Sequence, residues 1–350
     1  MYFNELDNES RRRLIDVQQR AAALRDIGRD LNHRFAGYMA WKRRNSQDYL
    51  YRRIGRVEKS LGHRSPETEA IHTAFTSGKA ALEERFSSLR HALETMARVN
   101  RALGLGRIPS LMARILRRLD DARVLGEQVC VVGTNALFAY EAHVGIRFET
   151  GILATDDIDL ALDSRRNLTL TARAMPDGLL GLLRKVDRSF ASLGSDHFRA
   201  INNAGIMVDL ITPEPRNPMV ARPIRLRRLG GQPSKTDLLA TEVPRLEMIV
   251  DAPRFSSIAI AEDGLPVWIA AADPRWWAAH KLWLSSEQTR EPIKRRRDGD
   301  QAKAVAEMLA RTWPNADLSD TALAAIPAPV RQRLRDIVSE TTEPDRTPQW

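Results

Sequence analysis

Three carboxylates stand where a carboxylate is costly. Asp157 and Asp159 lie two apart at the head of the apolar run Ile158-Asp-Leu-Ala-Leu162, so a strand sends both side chains off one face. Asp209 interrupts a second apolar run, Ile206-Met-Val-Asp-Leu-Ile211. A lone carboxylate inside such a strand is destabilising unless a charge pairs with it. Three on one rim repel one another unless a divalent cation neutralises them. Hard oxygen donors of this kind suit Mg²⁺, and two such ions ~3.5–4 Å apart serve in-line displacement at phosphorus. Upstream, Gln128-Val-Cys-Val-Val132 reads as a buried strand that ends at Gly133-Thr134-Asn135, where a helix begins at once. Backbone N–H groups and the Thr134 hydroxyl at that helix start favour an anion such as a triphosphate. Asp156 adjoins the pair, but alternation points it away.

The elements that must position these groups follow from periodicity. Ala136 to Val144 reads as a helix, Leu179 to Leu193 as an amphipathic helix, and Ser256–Ile260 with Pro266–Ala270 as a hairpin around Asp263-Gly264. Together with the three strands they make a mixed α/β core over 122–272. Residues 1–121 read as a helical N-terminal region. Leu14, Val17, Ala21, Leu24 and Ile27 recur at helical steps, as do Ile71, Phe75, Leu82, Phe86, Leu89 and Leu93, and Ser65 is placed to cap a helix opening at Pro66. Between these helices runs a basic, aromatic segment, Trp41 to Arg53. It suits phosphate contact with base stacking, and equally a solvated helix face anchored by its aromatics. A C-terminal helical region spans 273–340, with helices opening at Pro274 and Pro292, and a polar tail occupies 341–350.

Taken in order, strand-Gly-Thr-helix, Asp-x-Asp on a strand and Asp on a later strand, the chain resembles the nucleotidyltransferase superfamily related to polymerase beta. It is also similar to a bacterial nucleotidyltransferase-fold family over most of 45–310, in Gly133 to Glu141, Ala154 to Asp159, Lys185 to Phe190 and His280 to Trp283. The resemblance implies an α+β fold, a nucleotidyltransferase-like mixed sheet flanked by N-terminal and C-terminal helical regions. It implies an enzyme that moves NMP from an NTP, ATP among them, to an acceptor hydroxyl with release of pyrophosphate. Asp157 and Asp159 would hold two Mg²⁺ ions, and Asp209 would bind the catalytic one and could accept the hydroxyl proton. Gly133 and Thr134 would face the nucleotide. Related enzymes place a lysine from a helical segment on the phosphates, which nominates Lys281, with Lys185 as a second candidate that suits a surface ion pair as well.

Composition sets the surroundings. The chain has 350 residues with 54 Lys+Arg against 45 Asp+Glu, a formal charge of +9 and a pI near 10.0. That excess favours a polyanionic acceptor such as RNA or tRNA. Cys130 is the one cysteine, which excludes an internal disulfide and a cysteine-cluster zinc site. No apolar run approaches the ~18 residues that span a bilayer, and the acidic N-terminus lacks a signal-peptide block, so the expected compartment is the cytoplasm, without a membrane partner. Two alternatives stay open. One is a catalytically degenerate domain serving as a nucleic-acid-binding module. The other is an enzyme acting on a protein or small molecule, toxin-like with an antitoxin-like partner, or antibiotic-modifying.

Overall fold

The computed structural model describes residues 2–153, 155, 157–163, 165, 175–194, 197–215, 227–229, 237–313 and 315–342. The chain divides into two compact units, one of Ile15–Leu105 with Asp263–Pro266, the other of Met1–Leu14, Gly106–Glu262 and Val267–Trp350. In chain order come β1 (Phe3–Glu5), α1 (Asn8–Asn32), β2 (Tyr38–Arg44), β3 (Gln47–Ile54), β4 (Val57–His63) and α2 (Pro66–Ala102). Ser65 caps α2 reciprocally with Thr68, with Pro66 in the first turn.

The helical reading of 1–121 fails at 38–63, where three antiparallel strands stand in the order β2-β3-β4. The cause is turn chemistry and a period of two. Asn45 and Ser46 take φ of 45° and 63°, the left-handed pair of a tight hairpin turn, and Gly55 turns β3 into β4 at φ 57°. Trp41 and Leu50 face each other on one side of the sheet, and Leu50 is fully buried. On that same side Trp41 lies against His72 of α2, while the Arg52 guanidinium lies over the Phe75 ring.

The other unit continues through α3 (Ser110–Asp121), β5 (Val129–Val131), α4 (Leu137–Val144), β6 (Ile146–Phe148), β7 (Asp157–Leu162), α5 (Gly178–Val186), β8 (Ala191–Leu193), β9 (Arg199–Ile201), β10 (Met207–Pro213), β11 (Thr241–Val243), β12 (Arg254–Ile260), β13 (Pro266–Ala272), α6 (Pro274–Ser286), α7 (Pro292–Thr312) and α8 (Ala328–Thr342). A mixed sheet of order β12-β13-β5-β7-β10-β9-β8 forms its centre, with β11 beside β10. The fold is therefore α+β, with helices flanking a mixed sheet. Its core gathers Leu116 and Leu119 of α3, Leu160 and Leu162 of β7, Val208 and Leu210 of β10, and Trp277 of α6. The helix expected over 179–193 stops at Val186. Asp187 accepts from the Ser189 backbone and hydroxyl in a turn, after which 191–193 pair with β9. The tail expected from 341 begins with the last two residues of α8, and 343–350 lie outside the described residues. Among the described residues no helix is long and apolar enough to cross a membrane.

Candidate functional site

Strand β5 delivers the chain to Gly133, which adopts φ +60°. A Cβ there would come within 2.2 Å of Asp159 Oδ2, so the bare turn is what makes room for that carboxylate. The anion beside the turn in this arrangement is thus the protein's own. A short 3₁₀ turn, Gly133–Ala136, leads into α4. Thr134 is buried, and its hydroxyl oxygen accepts from Arg297 Nη2 and Gln301 Nε2, both at 2.9 Å. Asn135 Nδ2 donates to the Asp157 carbonyl at 2.7 Å, and Trp277 Nε1 donates to the Gly133 carbonyl at 3.0 Å. The turn is therefore fixed from both sides, by β7 and by the C-terminal helices α6 and α7.

Strand register assembles the acids. β7 and β10 run parallel with Asp159 opposite Asp209 and Asp157 opposite Met207. Opposed residues share a face, as do residues two apart, so all three carboxylates leave the same side of the sheet. Burial, and then the charge of Asp209, push the Asp159 carboxyl up to about 6, with Asp157 adding to the rise and Lys281 and Arg199 opposing it. The buried Oδ1 of Asp157 has no hydrogen-bond partner among the described residues. Asp209 sits opposite Arg199 in the antiparallel pair β9–β10 and accepts from its Nε and Nη2, both at 2.6 Å. This forked contact holds the guanidinium above its ordinary range. Among the described residues no group of three or more His, Cys, Asp or Glu side chains stands in a metal-ligating arrangement. Asp156 lies outside the described residues.

Beside Asp157 opens a cavity of about 660 Å³, lined among others by Arg107, Phe138, Leu153, Met207 and Arg297. That volume lies within the roughly 300–1,000 Å³ common for small-molecule sites. Arg107 is aimed by the buried Glu141, which accepts its Nε at 3.1 Å and Nη2 at 2.8 Å and also takes the Phe148 N–H at 2.6 Å. Two arginines on the wall and a carboxylate at the edge can hold an anion and a cation side by side.

The two nominated lysines part company. Lys281 is buried, donates to Asp298 Oδ1 at 2.7 Å and lies 5.3 Å from the Trp277 ring centre. Arg290 shares Asp298. Burial lowers the Lys281 ammonium from its ordinary value, and Asp298 opposes that fall. It stands near enough to Asp159 for each to shift the other. Lys185 is exposed, pairs with Asp177 at 2.9 Å and lines a separate hollow with Arg118 and Asp121. α5 spends Leu179, Leu180, Leu182 and Leu183 on the core, which leaves Lys185 outside it and away from the acids. Sequence reasoning missed Arg107, which stands outside any acidic or glycine motif. Arg297 lies in the basic run 294–297, and the place of Arg199 opposite Asp209 depends on a three-residue strand, so neither is marked by sequence alone. The buried Tyr140 hydroxyl donates to the Ala272 carbonyl at 2.9 Å, which ties α4 to the end of β13.

A family model described as nucleotidyltransferase matches residues 110–327. The matched span contains Gly133, all three acids and Lys281, and leaves out 15–105. No curated protein and no solved structure matches the chain.

Proposed function

Because the chain belongs to the nucleotidyltransferase family, we propose that it transfers NMP from an NTP to a hydroxyl carried by RNA, at the face shared by Asp157, Asp159 and Asp209. The observation that carries this reading is the β7–β10 register, which sets Asp159 beside Asp209 with Asp157 two residues along, next to an arginine-lined cavity. Carboxylate oxygens are the donors a hard divalent cation takes, and with Arg199 on Asp209 the three acids are not gathered as ligands among the described residues. Asp157 has a buried oxygen without a partner among the described residues, and Asp159 has a carboxyl raised by burial and neighbouring acids. Asp157 and Asp159 would hold Mg²⁺, joined by Asp209 once Arg199 releases it. Bound there, Mg²⁺ would neutralise charge on the phosphoryl oxygens.

The chain's own groups account for the rest. Arg107 and Arg297 line the cavity and would pair with phosphate oxygens, Arg107 held in aim by Glu141. The acceptor oxygen attacks the α-phosphorus as the bond to the bridging oxygen breaks, and pyrophosphate leaves with that electron pair. Asp209 would take the hydroxyl proton. Positioning and charge complementarity supply the rate. Incubation with α-labelled NTPs, Mg²⁺ and total RNA tests this. Wild type should label RNA, and Asp157→Ala should label it at least about 100-fold more slowly. Equal labelling by the variant, or label on protein or small molecules with none on RNA, would overturn it.

One observation favours a second reading. Arg199 already neutralises Asp209, as it would in a degenerate domain that binds nucleotide without transferring it. Saturable NTP binding with no transfer to any acceptor, over a range of divalent cations, would establish that alternative.

A further inference from the structure

The three-stranded sheet of the smaller unit has two unlike faces. One carries Trp41, Leu50 and Arg52 and is covered by α2. The other carries the alternate residues. Tyr38, Lys42 and Arg44 come from β2, opposite Arg53, Tyr49 and Gln47 of β3, and Tyr51 follows Tyr49 on the same side. Side-chain contacts agree with that assignment. Lys42 Nζ lies 5.4 Å and Arg44 Cζ 5.6 Å from the Tyr51 ring centre, and Lys42 reaches Glu58 of β4 at 2.6 Å. Tyr38 is 49 % exposed, and Lys42, Arg44 and Arg53 are exposed. Over residues 38–63 there are seven Lys or Arg and two acids.

We propose that this open face binds single-stranded RNA, its tyrosines stacking unpaired bases and Lys42, Arg44 and Arg53 meeting the phosphates. Charge complementarity selects a polyanion, and the exposed ring of Tyr38 with the half-buried rings of Tyr49 and Tyr51, interleaved with cations, selects one whose bases are unpaired. β2 is seven residues long, which at ~3.3 Å per residue gives roughly 23 Å of track, room for a short run of nucleotides. A duplex keeps its base faces stacked inside and offers the tyrosines nothing. The choice of RNA over DNA rests on the proposed transfer to an RNA hydroxyl; the surface itself, on residues 38–53, lies outside the span of the nucleotidyltransferase match.

Fluorescence anisotropy of the full chain with a labelled twelve-nucleotide oligoadenylate tests it. Tyr38→Ala with Tyr49→Ala should weaken binding by about 30-fold or more, and Tyr38→Phe with Tyr49→Phe should restore it, since the ring and not the hydroxyl stacks. Lys42→Gln with Arg44→Gln should flatten the slope of log affinity against log salt by about 1.4, roughly 0.7 for each charge. Circular dichroism of each variant establishes that it is folded. The inference is overturned if the RNA does not bind, if single-stranded DNA or duplex RNA binds as well or better, or if folded sheet variants bind like wild type. A chain that transfers nucleotides yet fails to bind the oligonucleotide sinks this inference and leaves the transfer reading standing. RNA binding through the sheet with no transfer does the reverse.

Discussion

Two sheets of this chain carry charge in opposite ways. β7 and β10 hold a half-buried Asp159 and a buried Asp209 among Leu160, Val208 and Leu210. β2 and β3 hold Lys42, Arg44 and Arg53 on an exposed face. Burial raises Asp159, lowers Lys281 and makes each dependent on the other's charge. The exposed cations are screened by salt within about 8–10 Å and act nearly independently. Chemistry that depends on one atom's position belongs with the first arrangement, and graded attraction to a polyanion with the second.

If that contrast holds, the largest effect should come from Lys281→Met. It strips Asp298 of one of two cations in a buried setting and should cost about 3 kcal/mol by urea denaturation. A cost near zero would mean that Arg290 alone satisfies Asp298. Gly133→Ala comes next. The left-handed φ and the 2.2 Å approach to Asp159 Oδ2 should together cost about 2–3 kcal/mol and displace the carboxylate. Unchanged stability and activity would show that the turn does not fix Asp159.

His280 tests burial through pH. Burial, with Lys281 and Arg290 adding to the fall and Asp298 opposing it, pushes it from the ordinary 6.5 down to about 3. Below pH 6.5 the unfolded chain takes up a proton that the folded one refuses. Its contribution is therefore full above pH 6.5 and is lost as pH falls towards 3. Between pH 7 and pH 5 the stability of wild type relative to His280→Gln should drop by about 2 kcal/mol, and a pH-independent difference would contradict the assignment. The smallest effects belong to the surface. Lys185→Met and Arg43→Gln should leave the denaturation midpoint where it is, and a shift as large as that of Lys281→Met would erase the contrast.

The half matched by the nucleotidyltransferase family was the more legible in sequence, for a physical reason. Carboxylates at Asp157, Asp159 and Asp209 stand out against apolar strands because desolvation makes them anomalous there, and Gly133 marks where such a strand must turn. The Pro and Ser signals at Ser65-Pro66, Pro274 and Pro292 located helix starts to within a residue. What stayed hidden depends on partners far away in the chain. Arg107 is significant only because Glu141 aims it, and Arg297 only because α7 brings it to Thr134. Lys281 and Lys185 look alike until packing buries one and exposes the other. The strands at 38–63 were obscured by their charge, since one face is nearly all Tyr, Lys and Arg and only Asn45-Ser46 and Gly55 betray the turns.

The central claim is that the carboxylate face transfers a nucleotidyl group. It is tested most directly by following α- and γ-labelled NTP in parallel with wild type and Asp159→Asn. Label from the α position should pass to the acceptor while label from the γ position appears in free pyrophosphate, in equal amounts, and both should be lost in the variant. Release of γ-label as inorganic phosphate, or transfer that survives Asp159→Asn, would contradict it.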